Sequence, residues 1–490
     1  MPRKSKYGIS PPIEFLRQFI DYSFFYERTG KQQKKSVLDV QIVGAMGPPG
    51  GARSEICPRL QSKFNLLHFT FPQDNQVKRI YRTMLVNHLS DFDESIKPLG
   101  PILTQATLEL FKQVSAEFLP TPACCHYLFN MRDISRVFQG LLRGDPKYYD
   151  TKESVVRLWV HEAQRVFSDR LITEDDKEKL VDIINTKLNA LFESNWKKLF
   201  KESKVPPMFA DFLTDEVGVA PANGAAAPVV GGAGDDREDR PPYQEVTHKM
   251  AKVKALLEEK LNSFNLDPDH VSQDLVLFDA AVEHVARIYR IITQPRGSAM
   301  LIGVGGSGRQ SLARLAAHMA DMGLAQIQPT QRYRPSDFRE FLKDLYKKTG
   351  LRCEPTVFLI SDTQLVHDSM LEDINSMLNS GDVAKLFPPE ELGPLLEELR
   401  ADATKLGLST AGDALYAFFI ERVRNNMHIV LCMSPVGAAF RNRIRMFPSV
   451  THYRLARHAR HSGLGRRFGP SSLLSVFDYF VCVLLFAVPS

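Results

Sequence analysis

The sequence predicts an α/β chain built on a parallel, doubly wound sheet, with a nearly all-helical region in front of it. Three observations carry this. The glycine-rich stretch Gly303-Val304-Gly305-Gly306-Ser307-Gly308 stands between an apolar run opening at Ser298 and a helical pattern with apolar residues at 312, 315, 316 and 319. Two more apolar runs, Val357–Ile360 and Ile429–Cys432, end in Ser361-Asp362-Thr363 and Met433-Ser434-Pro435. Strands that alternate with helices pair in parallel, and their ligands sit beyond the carboxyl ends of the strands. From Asn75 to about Lys201, finally, apolar residues recur almost throughout at the helical period.

In chain order, Pro11–Tyr22 has a helical pattern, and Val37–Val43 alternates like a strand before the turn residues Met46–Gly51. One or two strands cannot bury an α/β sheet, so residues 1–72 read as part of a domain whose other half lies elsewhere. Amphipathic helices are expected at 75–90, 104–118, 131–143, 152–167 and 175–198, giving a helical lid over residues 73–215. Residues 216–242, rich in Gly, Ala and Pro and carrying the acidic cluster Asp235–Asp239, read as a flexible linker. The unit 243–450 then opens with helices over Tyr243–Ser263 and Asp274–Ile292 and continues into the three strands. Val40–Pro48 echoes His428–Pro435, with Met46 and Met433 387 positions apart, so the chain reads as two incomplete copies of one module. Residues 451–490 fit neither copy: Arg454–Arg467 is basic, and Ser472–Val488 is an apolar run interrupted by Asp478, short for a membrane span of about 20 residues.

Composition narrows the class. A length of 490 residues allows about two to four domains, and 44% hydrophobic with 24% charged residues is ordinary for a globular protein. A net charge of +5 over that length, with no aromatic-interleaved basic stripe outside the tail, argues against a nucleic-acid partner. The six cysteines form no C-x-x-C pair and read as reduced, buried thiols of a cytosolic chain. Met1–Lys6 lacks the apolar core of a secretory signal. His318 and His428 adjoin apolar runs and are expected to pack rather than ligate.

The chemistry centres on Gly303–Ser311. Backbone N–H groups of such a loop converge on a phosphate, and the helix that follows adds a partial positive charge. Gly303, Gly305, Gly306, Ser307 and Gly308 form the cradle, and the two glycines at 303 and 308 have phosphate-loop spacing. Arg309 then occupies the lysine position, Gln310 the position of the magnesium-holding hydroxyl, and Ser311 comes one residue late. Asp362 is placed to hold Mg²⁺ through water, although Asp also favours a helix N-cap. Thr363, where a carboxylate would polarise the attacking water, is no base at neutral pH. Ser434 is placed for a γ-phosphate or the attacking water, with a turn-forming Ser-Pro as the alternative. A glycine-rich turn without chemistry is the plainer reading of the whole stretch.

Leu301–Leu315, Thr356–Leu378 and Val430–Pro448 resemble the fourth AAA+ module of axonemal dynein heavy chains. Met1–Arg17, Gln41–Phe64 and Tyr127–Leu142 resemble the third module of the same ring, and the arginine of the phosphate loop resembles that of the inner-arm chains. The resemblance covers about 1–215 and 243–449. It implies two incomplete AAA+ modules in tandem, each a P-loop sheet with a helical lid, within a larger motor ring. It also implies ATP or ADP as ligand, Mg²⁺ among the cofactors, and microtubule-based movement by the whole protein in the axoneme of cilia or flagella. Neighbouring AAA+ modules, dynein intermediate and light chains and microtubules are the implied partners, in the cytoplasm and cytoskeleton, with no membrane expected. By the same resemblance Arg59 matches an arginine finger, Arg132 the sensor II position, Gly47 replaces a polar sensor I residue, and Arg441, Arg443 and Arg445 face a neighbouring module. A solvated or paired surface arginine is the alternative for Arg59 and for Arg132. Trp159, His161 and Glu162 are expected only to pack. The departures at Arg309, Gln310, Thr363 and Ser434 imply nucleotide binding with very slow hydrolysis. The other readings are a nucleotide-binding regulatory or scaffold protein without motor activity, and an autonomous P-loop ATPase.

Overall fold

The computed structural model describes residues 10–27, 31–46, 56–70, 72–119, 127, 129–200, 207–213, 243–268, 271–329, 332–435, 443 and 454–457. Gly47, Arg441, Arg445, the linker 216–242 and most of the tail 451–490 lie outside the described residues. Contacts divide the chain into two compact units, the smaller including Met1–Ile80 and Ser115–Phe129, the larger Tyr81–Val114 and Asn130–Arg467.

In the smaller unit, Pro11 and Pro12 open helix α1 (Pro11–Tyr22), where a missing N–H costs nothing. Ser23, left-handed at φ 55°, stops it by donating its N–H to Phe19. Strands β1 (Phe24–Tyr26) and β2 (Lys34–Ser36) pair antiparallel, and Phe25 meets Phe15 of α1 edge-on at 5.8 Å. The strand expected at 37–43 does not form. Among the described residues no strand lies beside it for its alternation to pair with, and Leu38, Val40 and Val43 are exposed. The short α2 (Pro58–Gln61) follows in this unit, with Leu60 buried.

The helical run begins with α3 (Asp74–His88) and α4 (Leu99–Glu117). It continues with α5 (Met131–Leu141), α6 (Lys152–Phe167), α7 (Glu174–Phe192) and α8 (Trp196–Phe200). Caps explain where they start. Asn130 accepts from the Arg132 N–H while Asp133 accepts from the Asn130 N–H, and Thr151 and Thr173 cap α6 and α7. Trp159 is fully buried and gives its indole N–H to Thr107 at 2.9 Å, and Tyr81 stacks on Phe138 at 4.5 Å.

The helix expected from Tyr243 starts later, as α9 (Met250–Leu266), because residues before it are taken by a strand pair. There β3 (Phe209–Ala210) runs antiparallel to β4 (Gln244–Glu245). After α10 (Asp279–Ile292), the larger unit's main sheet begins with β5 (Ala299–Ile302), followed by α11 (Arg309–Met319) and β6 (Gly323–Gln326). Next come α12 (Pro335–Gly350), β7 (Thr356–Ser361), α13 (Asp368–Asn379), α14 (Pro389–Lys405), α15 (Gly412–Asn426) and β8 (Met427–Met433). Residues 454–457, expected to lie outside both copies, instead form β9 (Arg454–Arg457) parallel to β5. The strand order is β6-β7-β8-β5-β9, and every pairing in it is parallel.

Both faces of this sheet are covered, which is why its central strands read as unbroken apolar runs. Leu301, Leu359, Val430 and Cys432 point to one face, packed with α10 and α11 residues such as Val285, Ile288 and Leu315. Met300, Ile302, Ile360 and Leu431 point to the other, against Phe338, Leu371 and Phe419. Chain order reverses between β5 and β8, since β5 continues through α11 to β6 at the far edge. A crevice beyond the strand ends is expected at that reversal.

Candidate functional site: a glycine-rich loop at the strand ends

Three strand ends meet at the reversal. Ile302 of β5 is level with Met433 of β8, and Cys432 with Ser361 of β7. The Gly303 N–H, donating to the Met433 carbonyl at 3.2 Å, ties the loop's start to β8. Gly306 and Gly308 adopt φ of +77° and +74°, the left-handed region that side chains rarely enter, so the loop's path depends on them. Gly308 is the N-cap of α11, whose first residue is Arg309. Val304, Gly305 and Gly306 are exposed, leaving their backbone open to a ligand.

Two polar atoms here are buried without a partner: the Ser307 hydroxyl and the Arg309 Nη1. Buried polar groups are nearly always hydrogen-bonded, so an orphaned donor pair at a phosphate loop fits an anion that would complete both. Arg309 also acts on its surroundings. Burial pushes the Cys432 thiol up to about 12, while Arg309 pulls it down and Asp362 pushes it further up.

Asp362 and Ser434 are brought together with the loop. Asp362 Oδ2 accepts the Ser434 N–H at 2.9 Å, joining the end of β7 to the end of β8. The alternative of Asp362 as a cap for the following helix does not hold. His367 occupies the N-cap of α13, and Ser361 with Gln364 closes the short turn in between. Thr363 is exposed, its hydroxyl 2.8 Å from that of Ser361. Gln310 faces Gln326 of β6 at 3.5 Å, and Gln326 is held by Arg314 at 2.7 Å. Ser311 is half-buried on the first turn of α11.

The arginines expected from the resemblance lie on other elements. Arg132 is exposed on the first turn of α5, Arg59 is exposed on α2 in the smaller unit, and Arg443 reaches the Leu365 carbonyl at 3.4 Å. His428 packs as expected, its ring Nδ1 2.8 Å from the Gly297 carbonyl, and His318 lies edge-on to Phe264. Among the described residues no group of three or more His, Cys, Asp or Glu could hold a metal, and Cys57, Cys353 and Cys432 are free thiols. No described helix is long and apolar enough to cross a membrane.

A second polar cluster, in the same larger unit, was not anticipated as more than packing. Glu162 of α6 is fully buried and pairs with Arg290 of α10, and Tyr243 donates its hydroxyl to Glu162 at 2.8 Å. Burial, the strongest single influence, would raise the Glu162 carboxyl, but the Arg290 guanidinium together with His161 and the Tyr243 hydroxyl holds the group below its ordinary value. Around this pair, Arg143 bonds Asp211, Arg157 bonds Glu245, and His161 Nδ1 lies 2.6 Å from the Pro207 carbonyl. The helical segment is thereby fastened to β3, β4 and α10.

These groups give the chain an acid-sensitive fold. Burial lowers His161 from 6.5 to about 3 and His284 to about 4, so both stay neutral when folded while the unfolded chain protonates them. Their stabilisation is complete above pH 6.5 and is lost as pH falls toward those values. Glu283 acts in the same direction below 4.5: burial would raise it, yet Arg287 and Arg165 hold it at about 2. The unfolding free energy from urea titration should therefore fall between about pH 6.5 and pH 4, by up to about 1.4 kcal/mol per pH unit for each histidine, and the urea midpoint with it. A midpoint flat across that window is the contrary result.

Comparisons with known proteins agree on one family. Residues 273–456 match the P-loop containing dynein motor region D4, 1–72 the P-loop containing dynein motor region, and 103–200 the AAA+ lid domain. The chain is 45% identical over 92% of its length to "Dynein-1-beta heavy chain, flagellar inner arm I1 complex" of Chlamydomonas reinhardtii. It is 44% identical, over the same share, to "Dynein axonemal heavy chain 2" of Mus musculus and of Homo sapiens. The chain belongs to the axonemal dynein heavy chains. It spans 10% of the length of each of these relatives. Membership agrees with the fold described above: P-loop AAA+ architecture, a parallel sheet with helices on both faces and a separate helical lid, for which a nucleotide is the implied ligand. The family match also runs to residue 456, in keeping with β9 as a sheet member.

Proposed function

We propose that this chain supplies a regulatory nucleotide-binding part of an axonemal dynein motor, with residues 243–450 as the ring's fourth AAA+ module. Residues 1–72 and 73–215 are read as the closing part and lid of the third. The whole heavy chain would couple ATP hydrolysis elsewhere in the ring to movement along microtubules in cilia or flagella, together with its intermediate and light chains. The observation that supports a nucleotide at 303–311 is the loop itself, with Ser307 and Arg309 offering buried donors that lack partners. Thr363 at the water-activating position supports slow turnover, since a hydroxyl is no base at neutral pH.

The test is calorimetric titration of ATP and ADP into the 490-residue chain, with phosphate release followed in the same samples. Binding of either nucleotide with release no faster than buffer is expected. Fast release that Gly308→Val abolishes would make the site a working ATPase. A folded chain that binds neither nucleotide would reduce the loop to architecture.

A further inference from the structure

We propose that this site takes its nucleotide without a divalent cation, the Arg309 guanidinium carrying the charge that a magnesium ion supplies in an ordinary phosphate loop. The proposal rests on the nucleotide reading above and concerns how the same site compensates the phosphates.

Magnesium in such sites needs a hydroxyl at the head of the helix and a carboxylate beyond the neighbouring strand. Neither is available here in the usual form. The hydroxyl position is Gln310, whose carboxamide is turned toward Gln326 on β6, and Gln326 is itself fixed by Arg314. Ser311 comes next, but one residue turns a helix by about 100°, so its hydroxyl leaves the loop axis from a different side. Asp362 does stand at the strand end, yet one of its oxygens accepts the Ser434 N–H. Among the described residues no group of three or more His, Cys, Asp or Glu gathers around it. What the site lacks is the hydroxyl that would share a metal with Asp362, since Gln310 stands in its place.

What the site has instead is a fixed positive charge. Arg309 is half-buried, its Nη1 is enclosed and without a partner, and it shares the surroundings of the Cys432 thiol with Asp362. A guanidinium stays charged at any physiological pH and presents a planar fork suited to two oxygens of one phosphate. With no hydroxyl placed to hold a metal, Arg309 is left as a fixed positive charge at the head of α11.

The experiment compares nucleotide affinity of the full chain in Mg²⁺ and in EDTA, by calorimetry with ATP and separately with ADP. Dissociation constants that agree within about threefold are expected. Binding tightened about tenfold or more by Mg²⁺ overturns the proposal while leaving the nucleotide site intact. Absence of binding under both conditions, in a chain shown to be folded by circular dichroism, overturns the nucleotide reading and this inference together. The double substitution Arg309→Lys, Gln310→Thr assigns the effect: it is expected to make binding magnesium-dependent. If this folded variant binds equally in EDTA, Arg309 is not the compensating charge.

Discussion

Replacing Glu162 by alanine should destabilise the larger unit by about 3–5 kcal/mol, the cost of leaving a buried guanidinium without its counter-charge. The estimate follows from placement. Glu162 is 0% exposed and Arg290 is 5% exposed, so water cannot replace the lost carboxylate at Arg290. Tyr243 would lose its acceptor as well. Urea unfolding followed by tryptophan fluorescence is the direct measurement, because both tryptophans of the chain, Trp159 and Trp196, lie in the helical segment that Glu162 fastens. The paired substitution Glu162→Leu with Arg290→Met should recover most of the loss, since well-packed apolar side chains often serve as well as a buried ion pair. A loss below about 1 kcal/mol in Glu162→Ala would show that the pair opens to water in solution.

The second large effect concerns binding rather than stability. Valine at Gly308 should lower ATP affinity by about tenfold or more, because a β-branched residue strongly resists the left-handed backbone found there. Space is not the obstacle: the nearest atom to an added Cβ is Leu312 Cγ at 3.9 Å. The loop would have to re-route, which turns its N–H groups away from the phosphates and moves Arg309 at the head of α11. Gly393→Ala, on the exposed side of α14 with open space around its Cβ and no left-handed backbone, is the control and should bind nucleotide as before. Equal affinity of Gly308→Val and the unaltered chain would detach the loop from binding.

How legible these features are in the sequence depends on burial. Strands β5, β7 and β8 are apolar on both faces and stand out as runs, so the strand ends that carry Gly303, Asp362 and Ser434 were foreseeable. Strand β6 was not: Gly323-Leu324-Ala325-Gln326 is half-buried at a sheet edge and has no pattern. Val37–Val43 misleads in the opposite sense, an alternation with no neighbour among the described residues to pair with. Tyr243–Glu245 continues the helical pattern of α9, but its pairing with Phe209–Ala210 is a contact between distant parts of the chain, invisible to local periodicity. Glu162 does carry a clue in its position. It lies on the same stripe as Val155, Leu158, Trp159 and Val166, and an acid on an apolar stripe asks for a buried partner. Arg290, among Ala286, Tyr289 and Ile291, poses the same question from α10.

The β3–β4 pair has a consequence for the chain between its strands. Its two strands lie on either side of residues 214–242, and Gln244 donates from its side chain to the Leu213 carbonyl at 3.3 Å. Both ends of that stretch are therefore stapled to one another, independently of what lies between them. Doubling the length of a closed loop costs only about 0.6 kcal/mol. The segment between Leu213 and Tyr243 can thus be lengthened or shortened in this chain, and an experimenter can seat a reporter there, without the register of either anchor changing.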